Sequence, residues 1–354
     1  QAVLAQDAPA AQRLANAEPR PRALPRGMPG AEAGALGAQR SIGADFLRFQ
    51  SEHALHKVHQ PRSELEWCYY QGGPADEKEP IVFLHTTSGT AGAFFYQVRA
   101  LAAKGYRAIS AQYPAYDSPE DWCKGFDHFL DALKCRSVHI FGAGLGGFLA
   151  QHMASRYPNR VRSMVLCNTF ATTHLFNARA GSLLSVLPLM PSPLVRKVLL
   201  DAFPQAGMEL AAKQAIDWVA QQVHDLSGTD LASRLSLNCT PSSVGPVSLD
   251  DSRITIMEAN GETMVPPEMR QELRRLYSCA RLAQLKAGGD FPYLSQPEEA
   301  TLFVEVHMRG NGVFAAGAAA LLEPAPAPPE PAEEEAPARP RAPWRNPFED
   351  PPPP

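Results

Sequence analysis

Along the chain, short runs of β-branched and aromatic residues alternate with stretches whose apolar positions recur every three or four residues. Leu65 to Tyr70, Ile81 to His85 and Tyr106 to Ala111 read as strands. Ala91 to Ala103 has helical spacing and stops at Lys104-Gly105. Ser118 to Lys134 reads as a helix, with Ser118 as N-cap, Pro119 at the first helical position and Glu120-Asp121 in the first turn. Val138 to Phe141 and Met164 to Asn168 are further strands, separated by a helix over Leu145 to Tyr157. This alternation predicts an α/β fold, a mostly parallel sheet with helices on both faces. It breaks between Thr169 and Asp251, where no strand is evident and Pro193 to Ala202 and Met208 to Val223 are amphipathic. The insertion is expected to form a helical cap over the carboxyl edge of the sheet. The alternation resumes with strand Ile254 to Ala259, helix Pro266 to Tyr277, strand Ala280 to Leu285 and a closing helix from Gln296 to His307. Ligands of open α/β sheets bind outside the strands' carboxyl ends. Gly142 to Gly146, Glu262 and Asp290 all follow such ends.

Composition divides the chain. Residues 1–43 are rich in Ala, Arg and Pro without a sustained period, and 311–354 are rich in Pro and Glu. Thirteen of the 34 prolines lie in 323–354. Such segments bury too little apolar surface to offset the entropy of ordering, so both ends are expected to be disordered. Residues 44–310 are then one folded domain, with the cap at about 169–251. A net charge of -4 without a basic stripe argues against a nucleic-acid partner. Six scattered cysteines, with no CxxC pair and no metal spacing, read as reduced thiols of a cytosolic protein. The longest apolar stretch, near Val313 to Leu322, is too short to span a bilayer.

The chemistry centres on one cluster. The strand Val138 to Phe141 runs into Gly142-Ala-Gly144-Leu-Gly146, where α/β-hydrolases carry Gly-x-Ser-x-Gly with the Ser as nucleophile. Gly144 has no side chain to attack with. The acid of such a triad belongs in the loop after a late strand, where Glu262 precedes Val265-Pro266. The His belongs after the last strand, where the chain reads Gly288-Gly289-Asp290-Phe291-Pro292. The two members that transfer protons and electrons are therefore replaced. Two carboxylates at 262 and 290 are expected to repel, raising the pKa of one. The oxyanion loop is altered too, reading His85-Thr86-Thr87-Ser88-Gly89-Thr90 after its strand. A dinucleotide site is a poor alternative for Gly142, Gly144 and Gly147. The acidic residue required at the end of the next strand is missing, since that strand ends Leu166-Cys167-Asn168. No cofactor is expected.

Phe141 to Gln151, Met164 to Asn168, Leu231 to Cys239 and Gly289 to Leu294 resemble the maspardin family of divergent α/β-hydrolase-fold proteins, as do Leu84 to Thr90 and Ala111 to Pro114. The resemblance runs from about Asp45 to His307. It implies an α/β-hydrolase fold and a non-catalytic binding protein of the cytosol and of endosomal or trans-Golgi membranes, peripherally associated. The family usually keeps Ser where Gly144 stands, so this chain departs further from catalysis. Protein partners are expected. Asn346-Pro347-Phe348, followed by acidic residues, resembles EH-domain ligands, and Pro324 to Pro331 suits SH3-type modules. Two other readings stand beside the adaptor: a small-molecule receptor using the cap-covered pocket, and a hydrolase with relocated residues such as His85 and Ser88. A large apolar pocket beside Gly144 favours the receptor; a collapsed one favours the adaptor.

Overall fold

The computed structural model describes residues 41–314 except 62, 182, 205 and 206, with backbone alone at 183 and 188. The expected disordered ends, Asn346-Pro347-Phe348 included, lie outside the described residues except at their inner edges. There, Ser41 caps a helix that begins at Ile42, and Val313 packs against the core.

In chain order the elements begin with α1 (Ile42–Glu52), β1 (His56–His59), β2 (Glu66–Gly72), β3 (Ile81–Leu84) and α2 (Phe95–Ala103). Next come β4 (Ala108–Gln112), α3 (Pro119–Ala132), β5 (Val138–Ala143), α4 (Leu145–Arg156) and β6 (Val161–Cys167). The insertion holds α5 (His174–Ala180), α6 (Leu183–Val186), α7 (Ser192–Asp201), α8 (Leu210–Val223) and α9 (Gly228–Cys239). The chain closes with β7 (Ile254–Ala259), α10 (Pro267–Leu276), β8 (Arg281–Leu285), α11 (Pro292–Ser295) and α12 (Pro297–Gly310).

One eight-stranded sheet runs in the order β1-β2-β4-β3-β5-β6-β7-β8. β2 is antiparallel to both neighbours, and the remaining pairs are parallel. The central strands are apolar at almost every position because both faces are covered. Along β3, Ile81 and Phe83 join one core while Val82 and Leu84 join the other. The first core takes α1, α2, α8 and α12; the second takes α3, α4 and α10. Ser118 does cap α3, accepting the Asp121 N–H at 3.1 Å.

The insertion between β6 and β7 is helical, as its pattern predicts. Its two ends meet in a narrow neck. Thr172 bridges Ser243, the Val244 N–H donates to the Ala171 carbonyl at 2.9 Å, and the Thr173 N–H donates to the Ser242 carbonyl at 3.0 Å. From the neck the cap folds over the carboxyl ends of the strands. Arg234 of α9, wholly buried, donates to the Gly89 carbonyl at 2.8 Å and to the Tyr113 carbonyl at 3.2 Å. At the opposite ends of β5, β6 and β7 lies a buried chain of polar groups. Ser163 Oγ stands 2.6 Å from His139 Nδ1 and 2.7 Å from His307 Nε2, and His307 Nδ1 reaches Thr255 Oγ1 at 2.8 Å. One hydroxyl proton cannot serve two rings, so at least one of the two histidines donates to Ser163.

Candidate functional site

Four loops converge beyond the carboxyl ends of β3, β5, β7 and β8. Gly144 sits between β5 and α4 at φ +49° and ψ -117°, a conformation that strains any residue with a Cβ. Its carbonyl accepts the Thr169 hydroxyl at 2.5 Å, and its N–H donates to the Cys167 carbonyl at 3.0 Å. The three glycines of the motif are held for different reasons. A Cβ on Gly146 would stand 2.3 Å from the Leu84 carbonyl oxygen, and one on Gly142 would stand 2.5 Å from the Gly147 Cα. At Gly144 the nearest atom would be the Thr86 methyl, at 3.2 Å. Helix and strand press together at 142 and 146, whereas at 144 the close neighbour is a side-chain methyl, which can give by a few tenths of an ångström.

Asp290 follows β8 and lies beside this elbow, 7% exposed. One carboxyl oxygen accepts the Met264 N–H at 2.6 Å; the other has no hydrogen-bond partner among the described residues. Burial pushes its pKa up to about 6, against the lowering effects of the Met264 amide and Arg270. Glu262 has no part in that rise. It is exposed and lines a separate surface cleft with Asn260 and Lys286. In place of the repulsion expected between two carboxylates, burial of the single carboxyl of Asp290 raises its pKa. The loop between β7 and α10 contributes a backbone amide, rather than an acid, to position 290.

His85 is fully buried. Its Nδ1 lies 2.7 Å from the Thr86 carbonyl oxygen, and its ring stacks on Tyr113 at a centroid distance of 4.3 Å. Burial, reinforced by the nearby Arg234 charge, drives its pKa well below that of a free histidine. Ser88 turns instead to Thr86, with the two hydroxyls 3.2 Å apart. No hydrogen bond joins His85 to Ser88, so the pair named in the alternative hydrolase reading does not form a hydrogen-bonded dyad.

Two residues that the sequence reading passed over organise the site. Asn168 ends β6 in the left-handed region, at φ +40°. It donates to the Gly289 carbonyl at 2.9 Å and accepts the Ala259 N–H at 3.2 Å, tying β7 to the loop that carries Asp290. An Asn directly after a strand was the available signal, since Asn tolerates this conformation. Arg234 is the other. It interrupts the buried stripe Leu231, Arg234, Leu237 of α9, a charge at a core position.

The cavity at the elbow is small, about 50 Å³, and is bordered by Thr86, Gly144, Asn168, Asn238 and Asp290 among others. A second cavity of about 390 Å³ lies under the cap between Leu184, Leu187, Val198, Leu199 and Leu235. The two share Thr87, Phe176, Asn238 and Met264 as walls. Among the described residues no cluster of His, Cys, Asp and Glu could hold a metal ion.

The profile of the family described as "Alpha/beta hydrolase family" matches residues 81–302. The chain is 42% identical to maspardin of Danio rerio over 271 residues, covering 76% of this chain and 86% of that protein. It is 40% identical to maspardin of Homo sapiens over 270 residues, covering 75% and 87%. A thermophilic esterase from Thermogutta terrifontis superposes with a TM-score of 0.60 at 15% identity, covering 73% of this chain and 98% of the esterase; at that identity it shares the fold alone.

Proposed function

Since the chain belongs to the maspardin family of α/β-hydrolase-fold proteins, we propose that it is a catalytically inactive binding and adaptor protein. The observation that carries this reading is the pairing of Gly144 at the elbow with Asp290 at the turn after β8. Acyl transfer of this type needs a nucleophile and a base that takes its proton and returns it to the leaving group. Removing either costs about 10^6-fold in turnover in a well-studied protease. His85 is no substitute, because its Nδ1 is held by the Thr86 carbonyl, its ring stacks on Tyr113 and it makes no hydrogen bond to Ser88.

The adaptor part of the proposal draws support from the surface. Val186, Leu189 and Leu194 are exposed within a short stretch of the cap, with Leu189 84% exposed. Asn346-Pro347-Phe348 supplies a motif of the kind that EH domains take. In this reading the protein acts in trafficking or signalling, in the cytoplasm and at endosomal or trans-Golgi membranes, where it is held peripherally. No helix among the described residues is long and apolar enough to cross a membrane. A small-molecule receptor is the second reading, and the cavity of about 390 Å³ under the cap favours it. The cavity is small at the elbow and larger beside it, so partner binding and ligand binding are compatible.

The test is hydrolysis of short acyl esters by the purified chain, by His85→Ala and Ser88→Ala, and by Gly144→Ser. All four are expected to show no turnover above background. Turnover that disappears in His85→Ala or Ser88→Ala overturns the pseudoenzyme reading. Turnover gained by Gly144→Ser alone shows that Asp290 can act as the base.

A further inference from the structure

We propose that the elbow cavity and the cap cavity form one site for an apolar amphiphile whose inner end is a hydrogen-bond donor, an amine or a hydroxyl, received by Asp290. The proposal rests on the receptor reading and adds to it the chemistry of the ligand's head. Three observations on the walls carry it.

The first is the buried carboxyl. Asp290 is 7% exposed and lines the elbow cavity, and one of its oxygens has no donor among the described residues. A desolvated acceptor left unfilled costs about 1–3 kcal/mol. A ligand that brings an N–H or O–H recovers that cost, and an ionised carboxyl only accepts. A fatty acid would instead set one carboxylate against another. The second is Gly144. Without a side chain there, the inner end of the cavity stays open beside the Thr86 methyl. The same two positions that lost catalytic chemistry, 144 and 290, thus provide space and an acceptor at one point. The third is the outer cavity. Its walls are mainly apolar, and at about 390 Å³ it lies within the range of small-molecule sites. Arg179 lines it from an exposed position, so the outer end of the ligand is neutral or anionic and a diamine is excluded.

Octylamine, 1-octanol and octanoate are titrated into the full chain at neutral pH by calorimetry. The amine or the alcohol, or both, are expected to bind one to one, with octanoate at least about tenfold weaker. Asp290→Asn keeps an acceptor for Met264 but removes the charge. It is expected to weaken the amine by roughly tenfold, as fits a charge-assisted bond, and to leave the alcohol within about threefold. Gly144→Ser and Leu199→Trp fill the inner and outer cavities, and each is expected to weaken whichever ligand binds. Octanoate binding as well as or better than the other two overturns the donor-head assignment while leaving the receptor reading in place. Absence of binding by all three overturns both. Binding that survives Leu199→Trp unchanged shows that the ligand lies elsewhere. The wild-type comparison of the three ligands is decisive even where a variant fails to fold.

Discussion

At the scale of the residue, two glycines separated by one position answer to different forces. At Gly144 the constraint is mainly torsional: a Cβ would meet only the Thr86 methyl, at 3.2 Å, but the backbone conformation is strained, which costs about 1–3 kcal/mol. At Gly146 the constraint is steric, because a Cβ would press on the Leu84 carbonyl oxygen and the rigid strand behind it. Urea unfolding is therefore expected to show a loss of about 1–3 kcal/mol for Gly144→Ala and a larger loss for Gly146→Ala. Equal losses would mean that the close approach of α4 to β3 is softer than described. The places of Gly144 after β5 and of Asp290 after β8 were legible in the sequence because the spacing of the motifs around them is kept. What Asp290 does was not legible. Its oxygen is bound by the backbone of Met264, and a backbone donor leaves no mark in the sequence. Glu262 was misread for the same reason: its place in the chain suits an acid, but its side chain faces solvent.

At the scale of the element, the parallel core strands and their helices followed from periodicity, since both faces of each strand are buried and read as unbroken apolar runs. β1 escaped notice because it is an edge. Its sequence His-Lys-Val-His leaves only Val58 partly buried, and Lys57 pairs across to Glu66 at 2.6 Å. α9 escaped notice because Arg234 breaks its apolar stripe. That arginine is the element's anchor, spanning the loops after β3 and β4 through the Gly89 and Tyr113 carbonyls, with its guanidinium 5.1 Å from the Tyr113 ring. Arg234→Ala would leave two buried carbonyls without that donor, a loss of about 1–3 kcal/mol for each. Limited proteolysis is expected to cut the cap of this variant faster than that of the wild type. Arg234→Lys is expected to fall between them, because one ammonium does not reproduce the planar fork. Unchanged cleavage in Arg234→Ala would remove α9 from its role as the cap's tether.

At the scale of the whole molecule, four histidines are folded in as neutral groups. Burial lowers His139 and His152 to about 4 and His307 to about 3, and carries His85 well below its ordinary value. An unfolded histidine takes its proton near pH 6.5. Each group therefore stabilises the fold above that pH, and the contribution is lost as pH falls from about 6.5 toward the folded value, at about 1.4 kcal/mol per pH unit. Asp290 acts in the opposite sense. Its folded pKa of about 6 means that the fold gains as pH falls from 6 toward the unfolded value. Four histidines against one carboxyl leave the fall dominant. Tryptophan fluorescence is expected to show a steep acid transition that begins below pH 6.5, and His307→Gln is expected to shift it to lower pH. A fold that holds unchanged to pH 4 would contradict the neutral burial of these rings. The neck at Thr172 and Ser243 bears on how the chain is wired. The polypeptide leaves the sheet after β6 and returns to β7, the adjacent strand, through a neck a few residue pairs long. Lengthening or shortening the excursion between those two points leaves the pairing of β6 with β7 untouched. The cap is in this sense an appendix on a closed loop: its exposed segments can change in length while the sheet keeps its order, but α8 and Arg234, which pack into the body, must stay.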